Sequence, residues 1–227
     1  RDLFGDGKHL YFHGDLDETF FNDVDFVAIS PGIDPRHPII NNIKKAGIKI
    51  HNDISLFFER NRLLDTKIIA VTGTNGKTTV CSMIEQILSE SGLKAKAVGN
   101  IGLPVLDIDK VDTFDVLIIE LSSFQLEILN KAKIDVGVFL NISADHMDRY
   151  DSFQDYFQAK VKLLSLARIN IINRDDQQVN LTINKANLSF GLSEPNNNED
   201  YILTNDNSKY VVKKGDDLII DLSDLTL

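Results

Sequence analysis

Apolar residues fall along this chain in short runs separated by amphipathic stretches. Three runs, residues 68–71, 116–119 and 136–140, contain no charged residue. Such runs predict strands buried on both faces, and with helical stretches between them they predict a parallel sheet covered by helices on each side. Each run ends in a polar cluster, residues 73–79, 120–123 and 141–146 respectively. Open α/β sheets bind ligands beyond the carboxyl ends of their strands, so the three clusters are expected to meet in space.

The flanks read differently. Residues 8–13 and 25–29 predict short strands, the second followed by the breaker sequence Ser30-Pro31-Gly32-Ile33-Asp34-Pro35. A helix running to about Ala46, a strand at 48–50 and a helix at 53–61 complete a small Rossmann-like α/β unit. The polar stretch 61–67 is the expected linker. Residues 1–65 and 66–227 are therefore expected to form two domains. From about Tyr201 the pattern changes to short alternating strands at 201–204, 210–213 and 217–221, with a Gly215-Asp216 turn, which predicts an antiparallel ribbon on the flank. The expected class is α/β: the small unit, then a P-loop-type, mostly parallel sheet with helices on both faces and the ribbon.

Composition narrows the partners. Twenty-four basic residues against 34 acidic ones give a net charge of −10, which offers no electrostatic footprint for nucleic acid or an anionic membrane. Hydrophobic residues make up 43%, enough for a core. The single cysteine, Cys81, has no partner for an internal disulfide, and no stretch approaches the roughly 20 apolar residues of a membrane helix. A cytoplasmic protein is expected. The chain opens on Arg1 without a signal-like segment, which suggests a piece of a longer protein.

The first polar cluster carries the sharpest chemistry. Gly73-Thr74-Asn75-Gly76-Lys77-Thr78-Thr79 follows an apolar strand and opens a helix whose apolar positions are Val80, Met83, Ile84, Ile87 and Leu88, with Gly92 at its end. Backbone amides in such a turn close on phosphate oxygens, the helix N-terminus adds partial positive charge, Lys77 reaches the β and γ phosphates, and the Thr78 hydroxyl reaches magnesium. The pattern departs from the usual loop in having Val71 where the first glycine belongs. Glu120 ends the second run, where nucleotide-binding sheets present a carboxylate to magnesium; a solvated glutamate at a strand end is the plain alternative. His146 lies in the loop after the third run, either as a surface group or as a metal ligand.

Lys160 stands out for its position. Ser152 with Asp155 three residues on predicts a helix from Phe153. At about 100° per residue, Phe153, Phe157, Leu164 and Ala167 share one face with Lys160 in its middle, while Lys162 points the other way and reads as ordinary surface. Such a lysine either snorkels its charge to water or loses it. A neutral amine reacts with carbon dioxide, which turns a cation into an oxygen ligand for a metal.

Together the phosphate loop, Gly99-Asn100-Ile101-Gly102-Leu103-Pro104, Glu120-Leu-Ser-Ser-Phe-Gln-Leu-Glu127, Asn141 with Asp145-His-Met-Asp-Arg-Tyr150, Ala159-Lys160 and the Ser30-Pro31-Gly32-Ile33 turn resemble the bacterial Mur ligases, over nearly the whole chain. The combination is similar to the branch that joins D-glutamate to UDP-N-acetylmuramoyl-L-alanine. The resemblance implies an ATP- and Mg2+-dependent amide ligase working through an acyl phosphate. It implies that Gly73 to Thr79 hold the phosphates, with Lys77 on the transferring group. Thr78 and Glu120 would hold one magnesium, and His146 with carbamylated Lys160 a second. Asn100 and Ser122 would contact the UDP-sugar, and Ser30, Pro31 and Gly32 would approach its diphosphate. A monomer is expected, with further segments before Arg1 and a D-glutamate-binding domain after Leu227, so that residues 1–227 alone are expected not to turn over. Other Mur and folylpolyglutamate-type ligases share the phosphate loop, and a regulatory module that binds nucleotide without ligation is the alternative of another class; it leaves Lys160 unexplained.

Overall fold

The computed structural model describes residues 24–30, 32–34, 36–60, 65–108, 113–206 and 209–222. The expected strand at 8–13, Pro31 and linker positions 61–64 lie outside the described residues. Contacts divide the chain into two compact units, Arg1–His51 and Asn52–Leu227.

In the first unit, strand β1 (Phe26–Ala28), helix α1 (Pro38–Lys45) and strand β2 (Lys49–His51) form a βαβ unit, with β1 and β2 parallel and Val27 opposite Ile50. Pro38 sits in the first turn of α1, where its fixed φ is already helical and its missing N–H costs nothing. Ile40 and Ile43 are buried on the inner face of α1 against Val27, Ile29, Ile48 and Ile50.

The second unit begins with α2 (Asp53–Arg60). The sequence puts the domain boundary at residues 65/66, yet Ile54 and Phe57 of this helix are buried in one cluster with Ile68, Leu117 and Leu126. Then follow β3 (Lys67–Thr72), α3 (Lys77–Glu90), β4 (Ala95–Gly99), β5 (Val116–Glu120), α4 (Ser123–Ile128), β6 (Ile134–Phe139) and α5 (Phe153–Leu166). The remaining elements are β7 (Ala167–Asn173), α6 (Gln177–Asn180), β8 (Leu188–Gly191), β9 (Tyr201–Asp206), β10 (Lys209–Lys214) and β11 (Asp217–Asp221).

One nine-stranded sheet runs β11-β10-β9-β8-β7-β6-β3-β5-β4. Every pair from β9 to β4 is parallel, and β9, β10 and β11 form the antiparallel ribbon. Alternate residues of each strand face opposite ways. Val71, Ile118 and Val138 therefore pack with Cys81 of α3, whereas Ala70, Leu117 and Ile119 pack with Leu163 of α5 and Leu126 of α4. Full burial of each of these larger side chains contributes roughly 1.5–3 kcal/mol, which is why the uninterrupted apolar runs settle at the middle of the sheet. Strand β3 sits between β5 and β6, so the segments after these three strands emerge side by side.

Two expectations about helices change. The stripe of α3 that meets the sheet passes through Cys81, Ile84 and Leu88, leaving Met83 56% and Ile87 62% exposed; the apolar arc is wider than the surface it covers. Helix α5 ends at Leu166, and Ala167 starts β7 instead of extending the helical face, because alternating Ile169 and Ile171 pair as a strand with β6 and override the helical period.

Candidate nucleotide and metal site

The phosphate loop leaves β3 at Gly73 and enters α3 at Lys77, with Gly76 as N-cap and no side-chain cap on the helix. The first-turn amides of α3 are thus left for a ligand, and the helix dipole favours an anion there. The Lys77 amine folds back to donate to the carbonyls of Gly73 at 3.0 Å and Thr74 at 2.9 Å. Thr78, one residue further, donates its hydroxyl to Glu120 Oε2 at 2.8 Å.

Glu120 closes β5 and is 2% exposed. Its other oxygen accepts from Asn100 Nδ2 at 3.0 Å, and the Asn100 amide binds the Glu120 carbonyl. The carboxylate is therefore aimed from two sides before any ligand arrives. Beneath it Cys81 is fully buried, and burial pushes its thiol up to about 12, with the Glu120 charge adding and Lys77 opposing. That thiol is inert at neutral pH.

The N-cap of α5 forms as the sequence predicts: Ser152 accepts from the Asp155 amide and donates to its carboxylate. Lys160, two turns in, is 2% exposed. Its amine donates to the Gly73 carbonyl at 2.8 Å, so the charge does not snorkel to water. Burial lowers its pKa to about 7; the Lys77 charge pushes the same way, and Asp145 and Glu120 oppose. Lys162 is not ordinary surface. It is half-buried and donates to the Glu127 carbonyl at 2.8 Å and to Asn130 at 3.0 Å, tying α5 to the end of α4.

The third cluster joins the loop through side chains. Thr74 Oγ1 contacts the Ser143 carbonyl and accepts from the Ser143 amide, and it shares a hydrogen bond with the Tyr156 hydroxyl at 3.0 Å. Tyr156 carries Lys160 Nζ 4.9 Å from its ring centroid and His146 at 6.3 Å, centroid to centroid. His146 has φ +55°, its ring lies against Phe124 at 4.9 Å, and Nε2 is 3.5 Å from Asp145. Tyr156 was not singled out by the sequence reading, although it lies one helical turn before Lys160 on the same face and periodicity alone would place it there.

Of the residues proposed from sequence, Gly73, Thr74, Lys77, Thr78, Glu120, His146 and Lys160 are connected by these contacts, Asn75 and Gly76 lie between them in the loop, and Thr79 follows in the first turn of α3. Asn100 joins them through Glu120. Ser122 caps α4 in a reciprocal pair with Gln125, whose side chain also donates to Asp53. Ser30 and Gly32 lie in the first unit, in the turn after β1, with the Gly32 amide 3.4 Å from the Ser30 hydroxyl.

Residues 71–223 match the family model for the Mur ligase middle domain. A UDP-N-acetylmuramoylalanine–D-glutamate ligase of Buchnera aphidicola is 40% identical over 96% of this chain and 48% of its own length, and one of Methylobacillus flagellatus is 35% identical over 94% and 47%. The chain thus spans about half the length of these curated relatives. Among solved structures, the MurF ligase of Thermotoga maritima in complex with ADP superposes with a TM-score of 0.58 at 16% identity, covering 91% of this chain and 57% of that one. The likeness in fold extends beyond the family's matched segment.

Proposed function

This chain belongs to the Mur ligase family, and from that premise we propose that it is the nucleotide-handling part of an ATP-dependent ligase joining D-glutamate to UDP-N-acetylmuramoyl-L-alanine in peptidoglycan precursor synthesis. The relatives that carry this activity in their names support the choice of substrates. The observation that carries the reading is the meeting of three strand ends: two lysine amines on the Gly73 carbonyl, Thr78 on Glu120, and the Ser143 amide on Thr74.

A hydroxyl and a carboxylate meeting at 2.8 Å are the hard oxygen donors magnesium takes, so Thr78 and Glu120 fit that ion. ATP supplies the phosphoryl group that activates the substrate carboxylate, and Mg2+ neutralises the charge that gathers around it. The chain's own residues do the positioning. The first-turn amides of α3 hold phosphate oxygens, and Lys77 exchanges its two carbonyl contacts for the transferring phosphate. Lys160, lowered to about 7, is neutral in a large fraction of molecules at neutral pH. That nitrogen would attack carbon dioxide, an N–C bond forming as one C=O π bond opens and one proton leaves to solvent, and the carbamate oxygens would, with His146, hold a second Mg2+. Asn100 and Ser122 take the UDP-sugar, and Ser30, Pro31 and Gly32 take its diphosphate. We place the reaction in the cytoplasm; among the described residues no helix is long and apolar enough to cross a membrane.

The test is ADP release by the full-length protein. Release should require both D-glutamate and UDP-N-acetylmuramoyl-L-alanine. ADP formed equally well with another amino acid would move the protein to a different ligase, and ADP formed without any amino acid would remove it from the ligases.

A further inference from the structure

We propose that Asn141 is a positioning residue that commits the front of the phosphate loop, so that, of the loop's amides, only those that follow Asn75 are left to hold a nucleoside triphosphate. The proposal rests on the nucleotide-binding reading above and adds which donors are available to the ligand.

Asn141 follows β6, and its side-chain oxygen accepts from two consecutive loop amides, Thr74 at 3.1 Å and Asn75 at 2.9 Å. Its Nδ2 donates to the Asn75 carbonyl at 3.0 Å, and its backbone carbonyl accepts from the Thr74 amide as well. A carboxamide oxygen offers two acceptor sites, and both are used. This oxygen does for Thr74 and Asn75 what a phosphate oxygen would do, so those two donors are spent inside the protein.

The segment behind Asn141 is braced. Asp176 accepts from the Ile142 amide through one carboxylate oxygen at 2.8 Å and from the Gln178 and Val179 amides through the other. In front, the loop lies flush on the same segment: a Cβ at Gly73 would sit 3.1 Å from Leu140 Cβ and 3.4 Å from the Asn141 carbonyl. The front of the loop is therefore shaped before any nucleotide arrives, whereas α3 begins at Lys77 with Gly76 as N-cap and no side-chain cap. Ordering done in advance does not have to be repeated on binding, and removing Asn141 should weaken nucleotide binding more than it alters the chemical step.

Amide hydrogen exchange in the full-length protein tests this directly. Without nucleotide, Thr74 and Asn75 should exchange slowly, and ADP with Mg2+ should leave them unchanged while slowing Lys77 and Thr78. In Asn141→Ala the Thr74 and Asn75 amides should exchange fast. ADP should then bind about tenfold more weakly, and KM for ATP should rise while KM for the UDP-sugar and kcat stay near wild type. If that variant does not fold, Asn141→Asp keeps the shared oxygen acceptor and should keep Thr74 and Asn75 slow. Protection of these two amides that develops only on adding ADP, or unchanged ADP affinity in folded Asn141→Ala, overturns the proposal. Neither readout depends on which amino acid is joined, so a failed D-glutamate assay alongside these results would remove the ligase reading and leave the role of Asn141 standing.

Discussion

The amines of Lys77 and Lys160 reach the phosphate loop from two different helices and donate to the same oxygen, the carbonyl of Gly73, at 3.0 and 2.8 Å. One acceptor cannot satisfy two adjacent cations fully. Lys77 has a second partner in the Thr74 carbonyl, whereas Lys160 is the more deeply buried of the two. Burial and the neighbouring Lys77 charge therefore favour loss of the proton from Lys160.

The pH dependence of stability follows from that asymmetry. The folded state holds the Lys160 amine at about 7 against 10.5 in the unfolded chain, so between these values the unfolded chain binds the additional proton. Stability rises with pH across that window; the penalty is complete below about 7 and gone above 10.5. In buffer free of carbon dioxide, Lys160→Met should gain on the wild type as pH falls from 10.5 to 7, then hold a constant advantage. Parallel melting curves across the window would count against a depressed amine.

Carbamate formation has its own signature. Protein equilibrated with carbon-13 bicarbonate should show a carbonyl carbon signal that acid abolishes. Lys160→Arg keeps a cation but offers no neutral amine at these pH values, and should lack the signal. Identical spectra from both proteins would exclude the modification.

Lys77→Ala should lower turnover of the full-length protein on the order of a hundredfold or more, as when one preorganised charge stabiliser is lost. Removing the Lys77 charge also removes one of the effects that depress the Lys160 amine, so the Lys160 pKa should rise in the same variant. A titration by NMR reads this without any assay. An unmoved Lys160 would show that the two amines do not interact.

Glu120→Gln keeps the shape of the β5 terminus and removes a negative charge. The half-saturating Mg2+ concentration should rise at least about tenfold, as expected when a charged ligand to a hard cation is lost. Because the carboxamide oxygen can still accept from Asn100 Nδ2 while its NH2 donates to the Thr78 hydroxyl, the melting temperature should move little by comparison. A variant that melts early yet needs no more Mg2+ would make Glu120 a structural residue.

The residues that could be read from the sequence are those whose signal is local. Strands β3, β5 and β6 declare themselves as uninterrupted apolar runs, and Ser152 with Asp155 marks the start of α5 within four residues. The position of Lys160 on that helix follows from periodicity. Strand β4 gives no such signal, since Ala95-Lys96-Ala97-Val98-Gly99 is short, carries a charge and draws its stability from pairing with β5. The junction of α5 with β7 carries no breaker, so the helical period runs past its true end. The clamp of Asn141 on Thr74 and Asn75 and the bond from Tyr156 to Thr74 join segments distant in sequence, and no local pattern encodes them.

Gly99 makes a last prediction, because it couples the backbone to the candidate site. Its φ is +103°, and a Cβ there would lie 2.7 Å from the Glu120 carbonyl oxygen and 3.3 Å from the Glu120 amide. Gly99→Ala therefore meets both a backbone conformation that L residues avoid and a collision with the strand bearing the carboxylate; together these should cost about 2 kcal/mol or more. Gly92→Ala separates the two effects. Gly92 has φ +91° with nothing within 4 Å of its Cβ position, so only the backbone strain, about 1 kcal/mol, should appear. The difference between the variants measures the close approach of β4 to β5. If that approach fixes Glu120, Gly99→Ala should also weaken Mg2+ binding while Gly92→Ala leaves it unchanged. Equal losses in both variants would mean that the position of Glu120 does not depend on a bare backbone at residue 99.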